Sequence, residues 1–139
     1  MLSSSIVIGG VSALYLSDWT DLVPSSTEFV VNRDAVGHRQ MAHMQESRFF
    51  ERDQAYFEQF IRPNSIRLDN SPIPVLSPAW ALADAWLSGD WRPGPDDLEY
   101  EALIDSGAID EIKLAFKTLG VDIPRFLADP VRPGVLSRN

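Results

Sequence analysis

Cysteine is absent from the 139 residues, which excludes disulfides, thiolate catalysis and cysteine–zinc sites. Long apolar runs are missing as well. The N-terminal stretch Ile6-Val7-Ile8-Gly9-Gly10-Val11 falls short of the ~20 apolar residues of a membrane span. No Lys or Arg precedes it, as a signal peptide requires. A cytoplasmic chain with no membrane partner is the expectation. Histidine is scarce: His38 and His43 stand alone, and their spacing diverges around a helix, unlike the i,i+4 pair of a zinc helix. A metal would need Asp34 or Glu46 to help, so the two read as surface histidines. No G-x-S-x-G elbow or G-x-G-x-x-G turn occurs, and no Lys follows Gly9-Gly10 as in a P-loop. These gaps predict no catalytic residues, no cofactor and no metal.

What is present is acidic and globular. Hydrophobic residues make up 45% and the net charge is −8. From Asp84 to Glu111 the only basic residue among nine acids is Arg92, so this segment carries a charge equal to that of the whole chain. Such a surface repels nucleic-acid phosphates and attracts basic partners. The blander reading is a solvated helical face. Arg33, Arg39, Arg48 and Arg52 cluster upstream, but Asp34, Glu46 and Glu51 offset them, and a nucleic-acid patch is usually cleaner.

Ten prolines divide the chain into short elements, since proline ends helices and is excluded from central strands. Ser5 to Ile8 reads as a buried strand stopped by Gly9-Gly10, with a helix from Val11 to Leu16 behind it. Glu28-Phe29-Val30-Val31 reads as a second strand. Residues 33–61, where polar and aromatic residues mix, read as one or two helices. Ile66-Arg67-Leu68 and Ile73 to Leu76 form a hairpin across Asp69-Asn70-Ser71-Pro72, its second strand at an edge or distorted because it holds Pro74. Ser77-Pro78 opens a helix with a capping serine, and Gly89 stops it. After the rigid loop 90–95, Asp96 caps a helix ending near Gly107. Ile109, Ile112, Phe116 and Leu119 mark another, and Pro124 opens a last turn. The expected fold is α/β (α+β), a small mixed sheet packed with several helices and a helical C-terminal half. It forms one domain over residues 1–128, with residues 129–139 as a loosely held tail.

Asp84 stands out among candidate site residues. Its helical neighbours Ser77, Trp80, Ala81, Leu87 and Ser88 carry no charge, and an ionised carboxylate left there unpartnered costs on the order of 3–5 kcal/mol. It must accept hydrogen bonds, from backbone amides of a nearby loop or from hydroxyls, either as a structural carboxylate that pins a loop or as a catalytic or partner-contacting acid. Asp96-Asp97 and Asp110-Glu111 sit at or near predicted helix starts, where they favour the macrodipole. The tryptophans, Trp19, Trp80, Trp86 and Trp91, read as core or rim packing, with Trp91 in its loop the most exposed. The candidate partner-binding set is Asp84, Asp96, Asp97, Glu99, Glu101 and Trp91.

The sequence from Gly9-Gly10-x-Ser12-Ala13-Leu14-Tyr15-Leu16, through Pro24 and the strand at Glu28–Val31, to Pro74-Val75-x-Ser77-Pro78 and Leu82-Ala83-Asp84 resembles the C-terminal domain of AbiEi-like antitoxins. The likeness covers about residues 5–89. It implies a protein-binding module, the antitoxin and autoregulator half of a toxin–antitoxin pair, that counteracts a nucleotidyltransferase-like toxin. Members of that family usually carry an N-terminal winged helix, and here Met1 stands at the domain's own first strand. The implied alternatives are a truncated form of a longer regulator, a stand-alone relative, or the effector half of a transcription regulator. DNA binding is not carried over. Gly9-Gly10-x-Ser12-Ala13-Leu14 is also similar to the opening of nucleotidyltransferase folds, in which the next strand supplies an Asp-x-Asp pair for metal. Here that strand reads Thr27-Glu28-Phe29-Val30-Val31, with one carboxylate. Two-metal phosphoryl transfer needs several oxygen ligands together, so this second likeness implies an inactive descendant more readily than an enzyme.

Overall fold

The computed structural model describes residues 6–33, 47–69, 72–89 and 91–129. A five-stranded mixed sheet in the order β3-β2-β1-β5-β4 runs through the molecule, and helices cover it, giving the α/β class that the sequence predicts. The three residues of β1 (Ile6–Ile8) lie at its centre. They pair antiparallel with β2 (Thr27–Asn32) and parallel with β5 (Val75–Leu76). Beyond β5 lies β4 (Ser65–Ile66), antiparallel to it. Beyond β2 lies β3 (Ser47–Arg52), parallel to it over six residue pairs.

Strand β3 replaces part of the helical structure expected between residues 33 and 61. Its sequence Ser-Arg-Phe-Phe-Glu-Arg lacks the alternation of a half-buried strand, because both of its faces find aromatic contacts. Phe49 stacks on Phe29, ring centres 5.4 Å apart and 17° from parallel. The other face carries Phe50 beneath two guanidiniums, Arg48 at 5.1 Å and Arg52 at 6.0 Å from the ring centre. Aromatic side chains used on both faces remove the period of two, although Arg48 and Glu51 of this edge strand stay exposed. Residues 34–46 lie outside the described residues, and among the described residues of this stretch the predicted helical character lies after β3. There a short α-turn α2 (Gln54–Tyr56) runs into a π-turn (Phe57–Ile61) and a 3₁₀ turn (Arg62–Asn64). Asp53 caps its start by accepting the Tyr56 N–H at 2.9 Å. Asn64 and Ser65 donate to the carbonyls of Phe60 and Ile61 at 2.7 and 2.8 Å, satisfying the groups that a helix end leaves free.

The hairpin of β4 and β5 is present but very short. Its second strand is internal, not an edge, because Pro74 sits just outside the paired residues. Only the carbonyl of Pro74 is used, accepting the Ile8 N–H at 2.9 Å.

The first helix, α1 (Gly10–Leu16), and α3 (Pro78–Ser88) follow the sequence reading. Gly89 ends α3 in the left-handed conformation. Ser77 precedes α3 without capping it through its side chain. Its hydroxyl instead donates to Glu111 Oε2 at 3.5 Å. Six residues of α3 are buried, four of them alanines, which lets it pack closely against both α1 and α5 (Ala108–Leu119). Between them, a 3₁₀ turn (Pro95–Asp97) and α4 (Tyr100–Ser106) take the place of the single helix expected from Asp96. Asp97, not Asp96, makes the local cap, accepting the Gly94 N–H at 2.8 Å. The final turn α6 (Arg125–Ala128) follows Pro124 as expected. One hydrophobic core joins the sheet residues Val7, Val30 and Val31 to Leu82 of α3 and Ile112 and Phe116 of α5. The expectations for His38 and His43 with Asp34 and Glu46, and for the tail 130–139, lie outside the described residues.

Candidate functional site

Two buried carboxylates face two arginines of the same strand. Asp84, on α3, is 2% exposed. It receives both arms of the Arg52 guanidinium, Nε to Oδ1 and Nη2 to Oδ2, each at 3.0 Å. The Tyr56 hydroxyl donates to Oδ1 at 2.7 Å. The partner of Asp84 is therefore an arginine and a tyrosine; the loop amides anticipated from sequence do not fill that role among these contacts. A bidentate, charge-assisted pair of this kind is the strong form of a buried ion pair. Burial, the Asp84 charge and the hydrogen bond to it push the Tyr56 hydroxyl well above its ordinary pKa, against the opposing Arg52 charge. Tyr56 is thus locked as a donor. A shallow cleft of about 240 Å³, lined in part by Arg33, Asp53, Leu87 and Ser88, opens beside the trio.

Glu28, on β2, is the second buried carboxylate. The turn at Gly9-Gly10 presses against it. Gly10 has φ +56°, and a Cβ built there would lie 2.1 Å from Glu28 Oε1, so only glycine fits. That closeness lets Oε1 accept the Val11 N–H at 3.0 Å. The Ser12 hydroxyl oxygen accepts the Glu28 N–H at 3.0 Å, and the Glu28 carbonyl accepts the Gly9 N–H at 2.9 Å. Arg48 reaches Oε2 more loosely, at 3.4 Å, with its side chain 58% exposed. The surrounding cleft, about 300 Å³, is lined by Leu22, Val23, Phe50 and Trp91 among others. Leu22 and Val23 are exposed, Val23 at 72%.

The sequence-predicted acids do not converge on one point. Asp84 is interior. Asp96 and Glu101 are exposed on separate turns, and Asp97 is committed to Gly94. Glu99 has a neighbour that sequence reasoning missed, Asp21. Burial causes little there; the hydrogen bond and the negative charge of Asp21 raise the Glu99 pKa from its ordinary value. Two backbone ties hold the like charges together: Glu99 N–H donates to the Trp19 carbonyl at 2.8 Å, and the Thr20 hydroxyl donates to the Asp97 carbonyl. Trp91 is half-buried, not the outlying tryptophan expected, and packs against the core at the cleft wall. Asp21 lies far from Glu99 in the chain, and only the packing of the 18–25 loop brings them together, so no local signal marks the pair.

No protein-family model, curated protein or solved structure matches this chain. Among the described residues no helix is long and apolar enough to cross a membrane. No cluster of three or more His, Cys, Asp or Glu poised to hold a metal occurs among them either.

Proposed function

We propose that this chain is a protein-binding module of antitoxin type, whose acidic surface docks a basic partner, a nucleotidyltransferase-like toxin. What carries the reading is the acidic bias of residues 84–111, nine acids against the single basic residue Arg92, a surface that a partner's Lys or Arg neutralises on binding. The chain's net charge of −8 adds long-range attraction for the same partner. Asp96 and Glu101 extend the acidic surface, while Asp84 contributes through stability alone.

The test is the association rate with a nucleotidyltransferase-like protein from the same source as the candidate partner, followed across a salt gradient. With Asp21, Asp96, Glu99 and Glu101 changed to amides, the rate at low salt should fall about tenfold or more and lose most of its salt dependence. Asp97 is left unchanged because it holds the Gly94 amide. A rate indifferent to both salt and substitution would reduce the acidic surface to a solvated face. Absence of binding at every salt concentration would remove the antitoxin reading.

A second reading, descent from a nucleotidyltransferase fold, draws on the seating of Glu28 directly against the Gly9-Gly10 turn. The residues present do not fit a catalytic metal. Glu28 is held by an amide N–H and faces the Arg48 cation, which repels a metal where further carboxylates would be needed. Incubation with labelled nucleoside triphosphates, magnesium or manganese, and a tRNA acceptor should therefore give no transfer. Transfer abolished by Glu28→Ala would reverse that conclusion.

A further inference from the structure

The two clefts described above each open beside a buried carboxylate, but they differ in what that carboxylate has left to offer. Asp84 already takes three donors at 3.0 Å or closer, so its cleft presents a satisfied acid. Glu28 does not. Its side chain is 10% exposed, and its Oε1 accepts the Val11 N–H at 3.0 Å. Among the described residues Oε2 meets only Arg48 Nη1, at 3.4 Å, whereas a carboxylate has room for about four donors. Arg48 is under-used in the same way. Its side chain is 58% exposed, and its guanidinium, a fork of N–H donors, lies over the Phe50 ring 5.1 Å from the centre. Both groups line one cleft of about 300 Å³, beside the apolar surface of Leu22, Val23, Phe50 and Trp91.

One acid and one base in the same cleft decide what it suits. A lone cation drawn to Glu28 lies against the Arg48 guanidinium, and a lone anion drawn to Arg48 lies against the Glu28 carboxylate. Like charges so placed work against binding. A ligand that carries both signs on neighbouring atoms meets each group with its opposite.

We propose that this cleft binds a free α-amino acid with a large apolar side chain. The ammonium donates to Glu28 Oε2 in place of the long Arg48 contact, which costs little to give up because the guanidinium stands half in water. The carboxylate accepts from the Arg48 guanidinium, whose planar fork matches it. The side chain covers the apolar lining, where Leu22 and Val23 are 42% and 72% exposed. A volume of about 300 Å³ is at the lower end of small-molecule sites, the scale of one amino acid. This goes beyond the reading of a basic protein partner and does not depend on it, since neither Glu28 nor Arg48 belongs to the acidic stretch 84–111.

The test is an NMR titration of the full chain, read at the indole N–H of Trp91, a residue of the cleft lining. The ligands are L-phenylalanine and L-leucine, with three truncated relatives. Phenethylamine lacks the carboxylate, 3-phenylpropanoate lacks the ammonium, and glycine lacks the side chain. The two amino acids should bind with millimolar or tighter affinity. Each truncated ligand should bind about tenfold or more weakly, as loss of one charge-assisted bond or one buried side chain predicts. Arg48→Gln, a change at a largely exposed side chain, should bring phenylalanine and phenethylamine to the same affinity. No shift at Trp91 with either amino acid at ~10 mM would overturn the site. Phenethylamine or 3-phenylpropanoate binding as tightly as phenylalanine would overturn the two-charge ligand, and so would a preference for phenylalanine over phenethylamine that survives Arg48→Gln. Glycine binding as tightly as phenylalanine would overturn the apolar side chain. None of these outcomes bears on the association-rate experiment with the protein partner.

Discussion

Asp84 and Glu28 meet the same problem, a carboxylate out of water, and β3 answers both, with Arg52 for one and Arg48 for the other. The answers differ in kind. Arg52 is 12% exposed and closes on Asp84 with two 3.0 Å contacts, with Tyr56 as a third donor. Arg48 is 58% exposed, makes one 3.4 Å contact, and leaves a cleft open above it. The first site is a clasp between sheet and helix. The second is a lining that a ligand could rearrange at little cost. Removing one member of a buried pair leaves the other uncompensated, whereas a guanidinium that stands half in water contributes little to a carboxylate with a backbone donor of its own.

The comparison is most easily broken at the clasp. Arg52→Ala strands the Asp84 carboxylate and should lower stability by about 3–5 kcal/mol, read as a shifted denaturant midpoint at constant slope. A loss under about 1 kcal/mol would mean that water or a rearranged neighbour replaces the guanidinium. Next in size is Gly10→Ala. The added methyl meets Glu28 Oε1 in a left-handed backbone, and should cost about 1–2 kcal/mol through strain and through the displaced carboxylate. If Glu28→Ala, which removes the obstacle, leaves that cost undiminished in the double variant, the close approach is not its source.

Arg48→Ala should cost about 0.5 kcal/mol or less, since Glu28 keeps its backbone donor and the Arg48 side chain, 58% exposed, is screened by water. An effect as large as that of Arg52→Ala would erase the distinction between clasp and lining. The smallest effect belongs to Glu99→Gln. The folded state holds the pKa of Glu99 above its ordinary value. The associated stability is therefore full below the unfolded-state pKa and fades as pH rises through the folded one. The amide variant should be slightly more stable than wild type at neutral pH, and the difference should vanish on acidification below the usual carboxylate range. A variant less stable at neutral pH would show that Glu99 makes a favourable contact instead.

Much of this framework is legible in the residues. Ser77-Pro78 and Gly89 bracket α3, the apolar spacing of α5 predicts its buried face, and the uncharged neighbours of Asp84 foretell its burial. What the sequence hides depends on pairing between distant segments. β3 has no strand-like alternation because Phe49 and Phe50 are both used, one on each face. The identity of Asp84's partner follows from the register of β3 on β2, which a single sequence does not encode locally. The Asp21–Glu99 contact is equally a product of packing. The acidic bias around Asp96 and Glu101 could be read directly, but not which carboxylate stands next to which.

The central position of β1 bears on how the chain folds as it is made. Within the sheet, β1 is made before the strands on either side of it, yet one of its partners, β5, follows dozens of residues later, and the helix clasped by Arg52 comes after that. An emerging chain can close β1 on β2 early, but the other edge of β1 stays bare until Val75 and Leu76 leave the ribosome. During that interval Ile6, Val7 and Ile8 offer an unpaired apolar edge, the kind of surface on which chaperones act and strands from other chains pair by mistake.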